Sequence, residues 1–179
     1  MKKIALKYGL ISGLFISTFT VLSMAYCHSE NNYGGNMLLG YSAMLLAFSL
    51  VFVAVKSYRD KQNSGVISFS MAFQIGLYIT LISSTIYLVA WAIDYHFFIP
   101  DFMEKYCTAI LENLKRSGAT SAQISAKSIE MASMKETYKN PFMFVLFTYA
   151  EIFPVGLIVS LITALVVKRK IPIGRVTIA

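Results

Sequence analysis

Four apolar stretches dominate this sequence, and each approaches or exceeds the length needed to cross a lipid bilayer as an α-helix. They cover residues 4–26, 37–55, 69–98 and 142–167, interrupted mostly by isolated Ser, Thr or Gln. A helix needs roughly 20 apolar residues to cross about 30 Å of hydrocarbon. Only 14% of the residues are charged, against roughly 25% in soluble domains. The sequence therefore predicts an all-α integral membrane protein, with residues 1–179 forming one domain built on a four-helix transmembrane bundle.

The first stretch begins like a secretory signal peptide, because Lys2 and Lys3 precede it. The apolar core of a signal peptide is about 7 to 15 residues long, whereas this run continues to Tyr26. Tyr26 is also too bulky for the position that precedes the cysteine of a lipoprotein signal. We therefore expect an uncleaved first transmembrane helix.

The basic residues beside the four stretches predict how the chain is oriented. Lysine and arginine accumulate in the cytoplasmic segments close to the spans. In a four-span chain, the two termini and the segment between the second and third spans lie on one side. Against the single acid Asp60, that side carries ten basic residues: Lys2, Lys3, Lys7, Lys56, Arg59, Lys61, Lys168, Arg169, Lys170 and Arg175. Both termini are therefore expected in the cytoplasm.

The charges expected on the opposite side cancel. Six basic residues between positions 105 and 139 balance six acids between positions 30 and 136, and Asp94 and Glu151 remain within the spans. The net charge of +7 is thus mainly a topology signal. It indicates contact with the lipid bilayer, where a surface Lys or Arg contributes about 1 kcal/mol toward anionic lipid, and it does not point to nucleic acid.

The segment between the third and fourth spans has an amphipathic pattern. Its apolar residues recur every three or four positions: Phe102, Met103, Tyr106, Cys107, Ile110, Leu111 and Leu114. Gly118 is placed to end this helix, Thr120 with Gln123 matches a capping box for a second one, and Asn140-Pro141 suits the start of the fourth span. We predict an extracytoplasmic helical hairpin over about residues 100–139. Two roles stay open for it: a contact surface for a membrane or periplasmic partner, or a cap on the bundle with no partner.

Small residues at four-residue spacing mark the expected helix-packing faces. In lipid such residues let helix backbones approach closely. The rows are Gly9, Gly13 and Ser17 in the first span, Ala72, Gly76, Thr80 and Ser84 in the third, and Gly156, Ser160 and Ala164 in the fourth. These rows predict a compact bundle, and they leave open whether one of them also serves a homo-oligomer.

Glu151 is the principal candidate for a functional residue. It lies about 5 Å along the helix from the middle of the fourth span, where an acid costs about 2.5 to 3.5 kcal/mol on insertion scales. Pro154 follows three residues later and removes a backbone hydrogen bond to Ala150. Two interpretations remain open: a proton-coupling acid, or a neutral glutamic acid hydrogen-bonded to a neighbouring helix.

Six residues expected outside the hydrocarbon could in principle bind a metal ion: Cys27, His28, Glu30, Asp94, His96 and Cys107. None of them forms the closely spaced ligand pair that metal sites usually contain. The sequence therefore predicts no metal, no cofactor and no catalytic residue. Cys27 and Cys107 share the expected oxidising side, so either a disulfide or two free thiols is compatible with the sequence.

Several segments resemble one family of bacterial membrane proteins. They include KYGLISGL in the first span, KSYRDK from Lys56, DFMEKY from Asp101, YKNP before the fourth span and EIFPVG from Glu151. These segments are similar to the family known as domain of unknown function 4199. The resemblance covers nearly the whole chain and implies a four-span protein of the bacterial inner membrane. It implies no activity, but it draws attention to Lys56, Arg59, Asp60 and Glu151.

Three functional hypotheses follow. The first is a non-enzymatic assembly module that associates with itself or with another protein. The second is a small oligomeric proton-linked transporter or channel that uses Glu151. The third is a membrane enzyme, for which the only polar cluster is the loop expected at Lys56, Arg59 and Asp60, and the positive-inside rule explains that loop equally well.

Overall fold

A computed structural model describes residues 1–30, 33 and 37–169. These residues form six α-helices and one π-helical turn. The elements are α1 (Lys2–Ser29), α2 (Met37–Gln62), α3 (Phe69–Ile93), the π turn (Asp94–Phe98), α4 (Phe102–Arg116), α5 (Ser121–Tyr138) and α6 (Pro141–Val167). Within the described ranges the only β-type pairing is an isolated bridge between Ile67 and Arg169. The all-helical prediction is confirmed. Two residues counted above for orientation, Lys170 and Arg175, lie outside the described ranges.

Four of these elements are long and apolar enough to cross a membrane. They are α1 with 28 residues, α2 with 26, α3 together with the π turn with 30, and α6 with 27. The prediction of four apolar helices of membrane-spanning length is therefore confirmed. The chain is suited by length and composition to be a multi-pass membrane protein.

The candidate polar loop is helical. Lys56, Arg59 and Asp60 lie in the last two turns of α2, which continues to Gln62, whereas the sequence analysis placed them in a loop after residue 55. Lysine and arginine have high helix propensity and allow the helix to continue. The chain turns only after Gln62, where Ser64 and Gly65 have φ angles of 53° and 78°.

The four long helices form a bundle in which α3 packs against both α1 and α6, and α2 lies opposite α3 in contact with all three others. α1 and α6 are therefore separated by α2 and α3. The largest fully buried side chains of the core include Phe48, Val51, Ile75, Ile79 and Ile152. Most other apolar side chains of the four helices lie on the outer surface, as expected where lipid is the solvent.

Each glycine proposed for helix packing lies against a side chain of another helix of the same chain. A Cβ added to Gly156 would lie 2.5 Å from Thr80 Cγ2, and one added to Gly76 would lie 2.7 Å from Ser160 Cβ. A Cβ added to Gly9 would lie 2.8 Å from Ile82 Cβ, and one added to Gly13 would lie 2.8 Å from Ile86 Cδ1. Any side chain at these positions would push the helices apart.

The two shorter helices lie between the third and fourth long helices, and we call this end of the bundle the α4–α5 end. Thr120 and Gln123 form the predicted capping box at the start of α5, and the Asn140 side chain caps α6 with Pro141 in its first turn. Gly118, with φ of 80°, follows the end of α4. A salt bridge of 3.4 Å joins Lys135 to Glu104 and links α5 to α4. The predicted caps of α5 and α6 and the predicted glycine after α4 are confirmed.

Candidate functional site

Glu151 lies on α6 about 5 Å from the midpoint of the helix, and its side chain is on the surface of the bundle. It forms no hydrogen bond and no ion pair with any residue that the structure describes. α6 continues as one helix through Pro154. An unpaired carboxyl group therefore lies at the middle of a helix that is otherwise suited to hydrocarbon.

Two tyrosine hydroxyl groups from other helices lie within electrostatic range of Glu151. Tyr87 of α3 is 6% exposed, and its hydroxyl lies near the Thr20 side chain of α1. Tyr138 is the last residue of α5 and interacts with Glu151 in the same way. We call Glu151, Tyr87, Thr20, Tyr138 and Thr148 the Glu151 cluster. The cluster joins residues of α1, α3, α5 and α6.

Tyr138 is fixed by several contacts. Its hydroxyl accepts a hydrogen bond from Trp91 Nε1 at 3.2 Å and lies near the Thr148 side chain. Its ring stacks on Phe147 with centroids 6.4 Å apart and an interplanar angle of 16°. Burial raises the pKa of the Tyr138 hydroxyl, and the carboxylate of Glu151 adds to that effect. Tyr138 therefore faces Glu151 as a neutral hydroxyl and an aromatic ring.

The spacing of residues along α6 explains why these groups meet. Phe147, Thr148 and Glu151 are three or four positions apart, so their side chains leave adjacent positions of one helix surface. Thr148 points inward, with its hydroxyl donating to Phe144 O at 2.8 Å, while Phe147 and Glu151 lie further out. Tyr138 stacks on Phe147 at this surface. It can do so because it ends α5, and the chain passes within three residues through the Asn140 cap into α6.

Two buried hydroxyl groups lie one turn away from the Tyr87–Thr20 pair. Ser84 precedes Tyr87 on α3 by three residues and Ser17 precedes Thr20 on α1 by three residues, so each shares a helix face with one member of the pair. Ser84 is 0% exposed and Ser17 is 6% exposed. Neither Oγ atom has a hydrogen-bond partner among the described residues. Buried polar atoms are usually paired, so this part of the bundle has unused hydrogen-bonding capacity.

The polar residues at the end of α2 are paired with each other and with α6. Arg59 Nε lies 2.7 Å from Asp60 Oδ1, and Arg59 Nη1 donates to Val167 O at 3.2 Å. Lys56 is exposed and acts on Asp60 electrostatically. The arrangement ties the end of α2 to the end of α6, and its hydrogen bonds are accounted for by that structural role.

The residues considered as metal ligands are not brought together. Asp94 is 6% exposed in the π turn with Oδ2 unpaired among the described residues, whereas His96 is exposed and its Nδ1 lies 2.9 Å from Ala92 O. His28 Nδ1 lies 2.6 Å from Tyr33 Oη. Within the described ranges, no three His, Cys, Asp or Glu side chains are grouped to hold a metal ion.

Cys27 and Cys107 are both free and partly exposed. The Sγ atom of Cys107 lies 3.8 Å from Met131 O on α5, and burial raises the pKa of its thiol. A thiol with a raised pKa is a poor nucleophile at neutral pH. This environment favours a packing role for Cys107 over a catalytic one.

Glu151 could be recognised from the sequence as a candidate functional residue, but the residues around it could not. Thr20 and Tyr138 were not singled out, and Tyr87 was interpreted only as one of several interfacial aromatic residues. One signal was present: Ser17 with Thr20 and Ser84 with Tyr87 place polar side chains three residues apart on otherwise apolar helices. That spacing marks two polar helix faces, but it does not show that they meet.

Comparison with known proteins gives a family and no further relative. A family model described as a protein of unknown function, DUF4199, matches residues 7–169. No curated protein and no solved structure matches the chain. Since the match covers nearly the whole sequence and all four membrane-length helices, the chain belongs to the DUF4199 family.

Proposed function

We propose that the chain is a non-enzymatic assembly module of the bacterial inner membrane, in which two copies associate through the α6 surface around Glu151. The observation that carries the proposal is the exposed Glu151 side chain on α6, which has no hydrogen-bond or ion-pair partner among the described residues. An acid at this depth costs about 2.5 to 3.5 kcal/mol on insertion scales. Acidic groups within membranes usually face a bundle interior or a polar cavity, so a partner that covers Glu151 would relieve this cost.

A second copy supplies a matching group. In a two-fold dimer the same surface meets itself, so two Glu151 side chains near the axis face each other. When one of them is protonated, the pair shares a hydrogen bond between two carboxyl groups, and nearby like charges favour that protonation. The exposed apolar side chains elsewhere need no such partner, because lipid covers them.

The test of this proposal uses engineered cysteines in a chain whose Cys27 and Cys107 are replaced by serine. Ile158 is 59% exposed and lies two turns from Glu151 on the same side of α6, whereas Leu46 on α2 is 61% exposed. We expect Ile158→Cys to form disulfide-linked dimers in native membranes treated with the oxidant copper phenanthroline, and Leu46→Cys to form few under the same treatment. Equal cross-linking at the two positions, or none at Ile158 together with a monomeric mass in nanodiscs, contradicts the proposal.

Two substitutions at Glu151 separate hydrogen bonding from charge. Glu151→Gln keeps hydrogen-bonding capacity and is expected to leave dimerisation nearly unchanged. Glu151→Leu removes it, and an interhelical hydrogen bond in lipid contributes about 1 to 2 kcal/mol in model peptides, so we expect roughly 5- to 30-fold weaker association. Measurement of dimer fraction against the protein-to-lipid ratio distinguishes the two variants.

The orientation proposed with this function places both termini in the cytoplasm and the α4–α5 segment outside. It is supported by the excess of Lys and Arg at the opposite end from α4 and α5. Lys139 at the start of the fourth span, as a single cysteine in the cysteine-free chain, should react with a membrane-impermeant maleimide in intact spheroplasts. Reaction only after lysis would reverse the orientation.

A second candidate function is a small proton-linked transporter or channel. It is supported by the line of polar groups that runs from Glu151 through Tyr87 to Thr20, with the unpaired hydroxyl groups of Ser84 and Ser17 one turn away. Glu151→Gln should then abolish proton-dependent flux in proteoliposomes, because glutamine cannot exchange a proton. Absence of flux in the unmodified protein, or equal flux in the variant, rejects this candidate.

A further inference from the structure

The carboxyl group of Glu151 has no compensating positive charge among the described residues. The charged partners that the structure shows for lysine and arginine are at the helix ends or in the α4–α5 segment. Lys139 is paired with Glu136 at 2.7 Å and is twelve residues before Glu151. A carboxyl group in an apolar medium must therefore carry either a proton or a cation from outside the chain.

The groups around Glu151 are suited to a particular class of cation. Phe147 is one helical turn before Glu151 on α6, and the Tyr138 ring is stacked on it. Tyr87 contributes a further hydroxyl and ring from α3. Aromatic faces attract organic cations, quaternary ammonium groups in particular. A carboxylate next to a pair of stacked rings thus combines the two interactions that bind a hydrophobic cation.

An inorganic ion fits the same place poorly. Calcium takes six to eight oxygen ligands, and magnesium keeps several waters in an octahedral shell. The described side-chain oxygen atoms of the Glu151 cluster are one carboxylate and four hydroxyl groups, and the hydroxyl groups of Tyr138 and Thr148 already hydrogen-bond to Trp91 and to Phe144 O. The site is also reached from the outer surface of α6, where lipid concentrates hydrophobic cations and excludes hydrated ones.

We propose that Glu151, Tyr138 and Phe147 form a binding site for a hydrophobic organic monocation that enters from the bilayer. The carboxylate supplies the charge, and the aromatic rings supply the apolar contact. The proposal goes beyond self-association. Because it uses the same carboxyl group, a Glu151 side chain covered by a second copy is closed to the cation, and the two are tested as competing events in one preparation.

The probe is radiolabelled tetraphenylphosphonium, with the protein in nanodiscs of zwitterionic lipid and binding measured by equilibrium dialysis. Tetraphenylborate, which has the same shape and the opposite charge, is the control ligand. We expect saturable binding of the phosphonium and none of the borate. Equal binding of both ions, or no saturable binding of the phosphonium, overturns the proposal.

The variants test charge and ring separately. Glu151→Gln should weaken phosphonium binding at least tenfold, while Glu136→Gln, which changes an exposed acid of α5, should leave the Kd unchanged. Tyr138→Leu should weaken binding three- to tenfold, and Tyr138→Phe should retain it. Binding to Glu151→Gln that equals binding to the unmodified protein rejects the assignment, as does an effect of the same size in Tyr138→Phe and Tyr138→Leu.

Native mass spectrometry of the same nanodiscs reports the oligomeric state. A protein that stays dimeric at every phosphonium concentration and binds none of it overturns the cation site and leaves the assembly proposal standing. A protein that is monomeric without the phosphonium and binds it overturns the assembly proposal and supports the cation site. Because Glu151→Gln is expected to preserve the dimer and lose the cation, this variant distinguishes the two proposals directly.

Discussion

Two regions of α3 and α6 differ in whether their polar side chains have hydrogen-bond partners. At the crossing of Gly76 and Gly156, Thr80 and Ser160 are 0% exposed, their hydroxyl groups lie 3.2 Å apart, and Ser160 donates to Gly156 O at 2.7 Å. About 8 Å from Gly156 toward the start of α6, Glu151 has no hydrogen-bond or ion-pair partner among the described residues. The crossing uses its polar groups to hold the fold, whereas the carboxyl group of Glu151 is left without a partner in the described part of the chain.

The difference shows which polar residues the fold can explain. Buried hydroxyl groups at the crossing replace lost solvent contacts with each other, so they require nothing from outside the chain. An unpaired carboxyl group and two unpaired serine hydroxyl groups do not improve the packing of this monomer. Departures from full satisfaction concentrate at functional sites. Among the described residues, the buried hydroxyl groups of Ser17 and Ser84 lie one turn from the Tyr87–Thr20 pair, whereas the third buried unpaired group, Asp94 Oδ2, lies in the π turn.

The largest expected effect is on the tight crossing. Gly156→Ala would place a methyl group 2.5 Å from Thr80 Cγ2 and 2.8 Å from the Phe48 ring, so we expect a loss of about 1 to 3 kcal/mol in the free energy of unfolding. Gly40→Ala is the matched control, because a Cβ there meets nothing within 4 Å and alanine favours helix by up to about 1 kcal/mol. Unfolding in mixed micelles measures both. Equal stability of the two variants would show that the crossing tolerates expansion.

A smaller effect separates paired from unpaired hydroxyl groups. Ser160→Ala removes a hydrogen bond to Thr80 and should cost about 0.5 to 1.5 kcal/mol. Ser84→Ala removes a buried hydroxyl without a described partner, so its stability should equal or exceed that of the unmodified protein. The same unfolding measurement serves for both. A loss for Ser84→Ala as large as that for Ser160→Ala would mean that Ser84 bonds a group supplied in the membrane.

The smallest effect is expected outside the spans. Lys135 and Glu104 join α5 to α4 at 3.4 Å, with side chains 39% and 69% exposed. Exposed pairs of this kind contribute about 0 to 1 kcal/mol, so Lys135→Ala should change stability by less than the loss of the Thr80–Ser160 contact. A thermal shift that exceeds that of Ser160→Ala would show that the α4–α5 segment contributes more to the bundle than its exposure implies.

The four long helices could be predicted from the sequence because apolar runs of membrane length allow few alternatives. Their ends were less predictable: α2 continues through Lys56 and Arg59 to Gln62, since those residues suit both a helix and a cytoplasmic loop. The caps at Thr120 and Asn140 were recognisable because a cap depends on residues three positions apart at most.

The candidate site could be predicted only in part. Glu151 is conspicuous in an apolar run, but its proximity to Tyr87 and Tyr138 depends on which helices are neighbours and on their axial offset. Neither quantity is encoded in the periodicity of a single helix. Tyr87 and Thr20 are 67 positions apart in the sequence. Their side chains lie close together only because α1 and α3 pack side by side.

The π turn at Asp94–Phe98 has a consequence for insertions and deletions in this chain. Ile99 N donates to Asp94 O at 3.0 Å, five residues back, so the turn holds one residue more than an α-helical turn would. Removal of one residue here would convert the π turn into an ordinary α-helical turn, so the chain would leave α3 in a different direction and Ile99, now 3% exposed, would be displaced from the core. The extra residue thus sets the direction in which the chain leaves the third long helix, and it constrains the chain length in this turn.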